Sequence, residues 1–398
     1  MASVDNPLTS KLAAFGTTIF AEMSALAVRT GAINLGQGFP DTDGPDAVLD
    51  AAVEAIRTGV NQYPPGPGMP VLREAIVEHQ ERFYGLSYDP DTEVLVTAGA
   101  TEALAGALLG MLDDGDEVVL FEPIYDSYQA CIALAGGVLK PVVLRPDVEG
   151  DGRYGFDRDE FRAAVTDRTK LILLNTPHNP TGKVFTRDEL TFIGEVAIEH
   201  DVLVVTDEVY EHLVFSGAEH IPLATLPGMR ERTLTISSGG KTFNTTGWKT
   251  GWMTGPAGMV NAAKMAKQFL TYVNGAPFQP AMAVGLRLPD SFFTGLAAGL
   301  EAQRDRLLPG LEAAGFEVFV PEATYFTTVD IRPVVGDDVD GIEFCLSLPE
   351  RIGVVAIPNQ VFYAHPEHGK HLVRFACCKQ LDVIDAAVER LATLGSGR

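Results

Sequence analysis

Short apolar runs recur along the middle of the chain, each closed by a polar cluster and followed by a stretch of helical periodicity. Residues 94–98 read as a strand and 101–112 as a helix. The runs 117–121, 170–175, 202–206 and 233–237 are short and apolar, with turn signals behind them. That pattern suits strands buried on both faces, as in a mostly parallel sheet between helices. Segments 186–200 and 256–271 carry the spacing of amphipathic helices. Beyond residue 289 the rhythm changes to a long helix near 290–314 and strands near 316–320 and 325–331. A helix near 341–350, strands near 353–357 and 371–377 and a last helix at 381–394 follow. The expected fold is α/β: a large domain with a mostly parallel, mixed sheet between helices, and a smaller α+β domain.

The polar clusters sit just past the strand ends. Glu122-Pro123 follows one run and Asn175 through Gly182 the next. Asp207-Glu208-Val209-Tyr210 and Ser237-Ser238-Gly239-Gly240-Lys241 follow two more. Ligands of open α/β sheets bind outside the carboxyl ends of the strands, so these distant groups are expected to share one crevice.

Within that frame Lys241 is the informative residue. An amine aimed by a glycine turn can hold an aldehyde cofactor as a Schiff base, although a lone lysine there is an ordinary turn residue. Four more features complete a pyridoxal phosphate site. Gly99-Ala100-Thr101 lies between a strand and a helix, where backbone N–H groups face an anion. Ser238 adds a hydroxyl and Lys249 a cation, while by itself the triplet is a helix cap. Asp207 can keep a pyridine nitrogen protonated, which makes the ring a better electron sink; it also suits a helix N-cap. Asn179 and Tyr210 can bond the ring's phenolic oxygen, although Asn179-Pro180-Thr181-Gly182 is also a turn in its own right. Arg374 is a cation in an apolar strand, and its planar fork suits a substrate α-carboxylate or, equally, a structural salt bridge. Tyr125 can stack on the ring.

Length and charge narrow the picture. A chain of 398 residues is long enough for two lobes, and 46% hydrophobic with 21% charged residues is ordinary globular composition. The net charge of −23 argues against a nucleic-acid partner. Four cysteines without C-x-x-C spacing suggest reduced, packed thiols. Met1 through Pro7 show no signal peptide and no run is long enough for a bilayer, so no membrane association and a cytoplasmic location are expected. Gly239-Gly240-Lys241-Thr242 imitates a P-loop end, but the earlier glycine it requires is Thr235. The stretch from His365 to His371 has metal-like spacing, yet Pro366 and Gly369 argue against a helical ligand face, and no metal is expected.

The chain resembles a fold-type I PLP-dependent aminotransferase of class I/II over essentially its whole length. The resemblance rests on Asn34 through Asp41, Asn61 through Gly66, Pro177 through Gly182, Asp207 through Tyr210, and the Lys241 segment running to Gly247-Trp248-Lys249. It is similar to the kynurenine/glutamine transaminase branch, and in particular to bacterial N-succinyl-LL-diaminopimelate aminotransferases of lysine biosynthesis. The resemblance implies Lys241, Asp207 and Tyr210 as catalytic residues. It implies Ala100, Thr101, Ser238 and Lys249 at the cofactor phosphate, Tyr125, Asn179 and Tyr210 at its ring, and Gly38, Asn179 and Arg374 at the substrate. Tyr63 matches a tyrosine that reaches the phosphate in the partner subunit, implying a homodimer with shared sites. Residues 45–288 would be the large cofactor domain and 289–398 the small one, with 1–44 packing on the latter. Lys249 replaces an arginine, Ala100 a frequent glycine, and 321–326 lacks the usual glycine. The implied reaction is transamination between an L-amino acid and a 2-oxo acid, with 2-oxoglutarate as the expected acceptor. A kynurenine-, methionine- or glutamine-type aminotransferase and a cysteine-conjugate C–S β-lyase would share every cofactor residue. A PLP-sensing regulator would need a DNA-binding segment, for which there is no room before residue 34. The stretch 272–278 is a candidate wall for the distal end of the substrate, in this chain's site or in that of a partner subunit, and it offers no arginine for a second carboxylate.

Overall fold

The computed structural model describes residues 8–13, 15–16, 19–147, 152–215 and 217–395. The first seven residues, read above for a signal peptide, lie outside them. Seven strands form the main sheet in the order Val94–Thr97, Gly251–Thr254, Thr233–Ser238, Leu203–Asp207, Thr169–Asn175, Glu117–Glu122, Val138–Val143. All neighbours are parallel except Gly251–Thr254, which runs antiparallel to both of its partners.

Successive side chains of a strand point to opposite faces, so an unbroken apolar run feeds two cores at once. In Thr169–Asn175, Ile172 and Leu174 join the Leu190, Ile193, Val196 and Ala197 face of the helix Arg187–Glu199. Leu171 and Leu173 join Ala103, Leu104, Ala107 and Leu108 of the helix Gly99–Met111 on the other side. Each such buried aliphatic side chain contributes about 1.5–3 kcal/mol before chain entropy is counted. The helix Arg187–Glu199 begins at a reciprocal Thr186–Glu189 capping box, which fixes where the strand-end loop stops.

The C-terminal part builds a four-stranded antiparallel sheet in the order Glu317–Phe319, Phe326–Asp330, Leu372–Ala376, Ile357–Pro358. The strand Ile33–Asn34 pairs in parallel with Val354–Val355. Met23, Leu26 and Ala27 of the helix Ile19–Thr30 bury in the same cluster as Phe344, Leu348 and Ile384.

Two expectations change. The single strand expected near 353–357 is split: Val354–Val355 pairs with the N-terminal strand, whereas Ile357–Pro358 pairs with Leu372–Ala376. The helix expected over 256–271 stops at Lys267. Glu102 accepts the Thr271 N–H at 3.1 Å, and the Lys267 amine holds the Tyr272 carbonyl at 2.6 Å, so the chain turns off the helix axis. Among the described residues no helix is long and apolar enough to cross a membrane.

Candidate active site

A cavity of about 260 Å³ opens at the carboxyl ends of the parallel strands. Gly38, Ala100, Thr101, Tyr125, Asn179, Asp207, Tyr210, Ser238, Lys241, Lys249 and Arg374 all line it. Of the residues singled out in the sequence, Tyr63 lies elsewhere: it is 82% exposed and packs edge-on against Tyr272, with ring centroids 5.7 Å apart. None of residues 272–278 lines this cavity, so that stretch is not a wall of the chain's own site. Its Phe278 ring instead stacks on Trp248 at 4.6 Å.

Lys241 sits on the single helical turn Gly239–Thr242, directly after the strand Thr233–Ser238. Its amine donates to the Tyr325 hydroxyl at 2.8 Å and to the Gly38 carbonyl at 3.3 Å. The Tyr325 hydroxyl in turn donates to Gly38 at 2.7 Å. Loss of hydration on burial lowers the amine's pKa to about 8, although the side chain keeps some exposure through the cavity mouth. A neutral, nucleophilic amine is thereby accessible near physiological pH.

Asp207 ends the strand Leu203–Asp207 and is 4% exposed. Its carboxylate accepts the Tyr128 hydroxyl at 2.6 Å and the Val209 N–H at 3.4 Å. Burial raises its pKa to about 6 against those bonds. No lysine or arginine lies at ion-pair distance from it among the described residues. Asn175 braces this floor, donating to the Asp207 carbonyl at 2.9 Å and accepting the Asn179 N–H at 2.7 Å. Tyr210 is buried and meets the Tyr325 ring edge-on at 5.6 Å.

The anion corner is the start of the helix Gly99–Met111. Lys249, in the left-handed region at φ 52°, brings its amine to 3.5 Å from the Thr101 hydroxyl. Gly251 is required beside it: a Cβ there would lie 2.6 Å from the Gly99 carbonyl carbon and 2.8 Å from the Ala100 nitrogen. The antiparallel strand therefore presses the helix start into place.

Arg374 lies on Leu372–Ala376, paired across from Thr328 and Ile357. It is 1% exposed, and its guanidinium lies over the Phe326 ring at 4.0 Å and the Phe362 ring at 5.1 Å. It donates to Asn179 Oδ1 at 3.1 Å and to the Gly36 carbonyl at 2.9 Å, while its Nε has no partner. Burial lowers its pKa to about 10, so it remains a cation at neutral pH. It has no carboxylate at ion-pair distance among the described residues, so the structural salt bridge considered from sequence is not what it forms. A buried cation without a counter-ion, facing a cavity, is matched to an incoming anion.

These features fit pyridoxal phosphate: an aldehyde-reactive amine, an unpaired buried acid for a protonated ring nitrogen, and a cationic helix start for the phosphate. Sequence reasoning missed Tyr128, Asn175 and Tyr325. Tyr128 follows Tyr125 by three residues, one helical turn along, and that spacing was the only local signal.

A sequence profile described as "Aminotransferase class I and II" matches residues 30–391. The chain belongs to this family. Aminotransferases of this class and fold depend on pyridoxal phosphate, and this chain is such an enzyme. It is 52% identical over 394 residues to a probable N-succinyldiaminopimelate aminotransferase of Mycobacterium tuberculosis, covering 97% of this chain and 98% of that protein. The solved structure of the N-succinyldiaminopimelate aminotransferase from that organism superposes with a TM-score of 0.94, covering 97% of this chain and 100% of the other. A methionine aminotransferase of Escherichia coli is 41% identical, over 98% of this chain and all of the relative (100%).

Proposed function

We propose that the enzyme transfers the amino group of N-succinyl-LL-2,6-diaminopimelate to 2-oxoglutarate. The observation that carries the amino-acid part of this reading is the buried Arg374 guanidinium, with no counter-ion among the described residues and a partnerless Nε, in the same cavity as the Lys241 amine. The succinylated substrate is suggested by the 52% identity to the mycobacterial protein.

Bound pyridoxal phosphate supplies an aldehyde and an electron-accepting ring that spreads the charge left on the substrate Cα. Lys241 would hold the cofactor, and the Ala100 N–H, Thr101, Ser238 and Lys249 its phosphate. Asp207 would keep a ring nitrogen protonated, Asn179 and Tyr210 would bond the phenolic oxygen, and Tyr125 would stack on the ring. Arg374 and the Gly38 N–H fix the substrate carboxylate. The Lys241 amine, with its pKa near 8, moves the proton at the substrate Cα. Tyr325 keeps that amine aimed into the cavity. Two copies of the chain pair through the exposed Tyr63, Phe269 and Tyr272, with Tyr63 reaching the partner's phosphate corner.

The cavity wall favours a second reading. Phe20, Tyr125 and Phe326 are aromatic, and Lys241, Lys249 and Arg374 are the only cationic side chains lining it among the described residues. Methionine or kynurenine would fit such a wall without a second carboxylate clamp. The test is glutamate formation from 2-oxoglutarate with each donor. Activity with the succinylated donor that disappears in Lys241→Ala supports the proposal; glutamate formed only from methionine or kynurenine overturns the substrate.

A further inference from the structure

The metal-like stretch dismissed on sequence grounds acquires a third ligand in the fold. Pro366–Gly369 form a 3₁₀ turn, in which side chains three apart lie over one another. His365 is the N-cap of this turn and its carbonyl accepts the His368 N–H at 3.1 Å, so the two rings lie 6.0 Å apart although no α-helical face exists. Glu122, 243 residues before His365 and at the end of the strand Glu117–Glu122, reaches the same point. One ligand atom from each of Glu122, His365 and His368 lies within 4.8 Å of the other two.

The state of Glu122 gives this cluster its meaning. The residue is fully buried, at 0% exposure. Among the described residues no lysine or arginine is at ion-pair distance; the side chain that meets its carboxylate is His365. Its Oε2 is occupied by the Ala364 and His365 N–H groups at 2.8 and 3.4 Å. Its Oε1 points at His365 Nδ1, 3.1 Å away. Buried carboxylates are paired or bind metals, and this one faces two imidazoles that open to solvent. The alternative set His79, Glu211 and His212 differs in kind. Both Glu211 oxygens are taken, by Ser237 and Tyr84, and the two imidazoles bond each other at 2.7 Å.

We propose that Glu122, His365 and His368 form a binding site for a divalent transition-metal ion of the zinc type, with solvent completing the coordination. The ion would tie the end of the strand Glu117–Glu122 to the segment 359–371. That segment carries Phe362, which lies under the Arg374 guanidinium and whose carbonyl accepts the Ile124 N–H. The metal is therefore a clip behind Arg374, outside the cavity lining.

The experiment is calorimetric titration of the tag-free, cofactor-loaded enzyme with zinc ions, alongside thermal unfolding with and without zinc. One zinc per chain is expected, raising the unfolding midpoint. The His365→Ala/His368→Ala double variant should bind at least about tenfold more weakly and lose the zinc-dependent shift. His365→Ala strips the buried Glu122 Oε1 of its partner and should itself lower the zinc-free midpoint, so the exposed His368→Gln alone is the variant whose zinc-free midpoint should match the parent. Magnesium should give no comparable heat, because nitrogen ligands favour zinc. Undiminished zinc binding in both variants, equal binding of magnesium, or no saturable binding to the parent would overturn the site.

Discussion

Replacing Asp207 by Asn should act in opposite directions on the two forms of the protein. Burial raises its pKa from 3.8 to about 6 in the cofactor-free chain. A shift of roughly two units corresponds to about 3 kcal/mol. The folded state holds this proton more tightly than the unfolded state, so stability falls as pH rises from about 4 to about 6 and stays lower above that. Asn removes the penalty and weakens the Tyr128 bond by about 1 kcal/mol, a net gain of about 2 kcal/mol at pH 7.5. For a chain of 398 residues that raises the midpoint by about 2 °C. At pH 4 the gain should vanish. With cofactor bound, the same change removes the anion from the ring nitrogen, and cofactor affinity should fall roughly 10–100-fold. Thermal unfolding of both forms between pH 4 and 8, with a fluorescence titration of the cofactor, reads all three quantities. An equal loss of stability in both forms, with affinity unchanged, would mean that Asp207 serves only the packing of its strand end, where no helix begins for it to cap.

Arg374→Leu should lower kcat/KM for amino-acid donors by about 10²–10³-fold, with Arg374→Lys in between because it keeps charge and loses the fork. Its unfolding midpoint should hardly change, since no carboxylate is stranded; a large stability loss with kcat/KM intact would mark a structural residue. Tyr325→Phe removes an acceptor of the protonated Lys241 amine, so the amine's pKa should drop further below about 8. The rising, acid-side limb of kcat should move to lower pH, and a profile left in place would refute the contact's role. In the cofactor-free chain, borohydride trapping of pyridoxal phosphate on Lys241 should be half-maximal near pH 8, because only the neutral amine reacts. A midpoint near pH 10 would contradict the desolvated amine.

The parallel sheet was legible because its strands are apolar on both faces, and Asp207 and Lys241 because strand ends and glycine turns announce themselves locally. Arg374 stood out as a lone charge in an apolar strand, but whether an ion pair awaited it depended on packing against Phe326, Phe362 and Asn179. Tyr325 was invisible for the same reason: its hydroxyl reaches Lys241 across 84 residues and Gly38 across 287. The split of 353–357 depended on two partners far away in the chain, Ile33–Asn34 and Leu372–Ala376. The distal substrate wall was not readable, since 272–278 packs beside Tyr63 and Trp248, away from the chain's own cavity.

The most direct test of the central claim is a single-turnover comparison on the cofactor-loaded enzyme. The visible absorbance of the bound cofactor is followed after adding N-succinyl-LL-diaminopimelate, methionine, kynurenine or glutamine. The account predicts the fastest loss with the succinylated donor and none in Lys241→Ala. Faster loss with methionine or kynurenine would contradict the assigned substrate, and unchanged conversion in Lys241→Ala would contradict the assigned site.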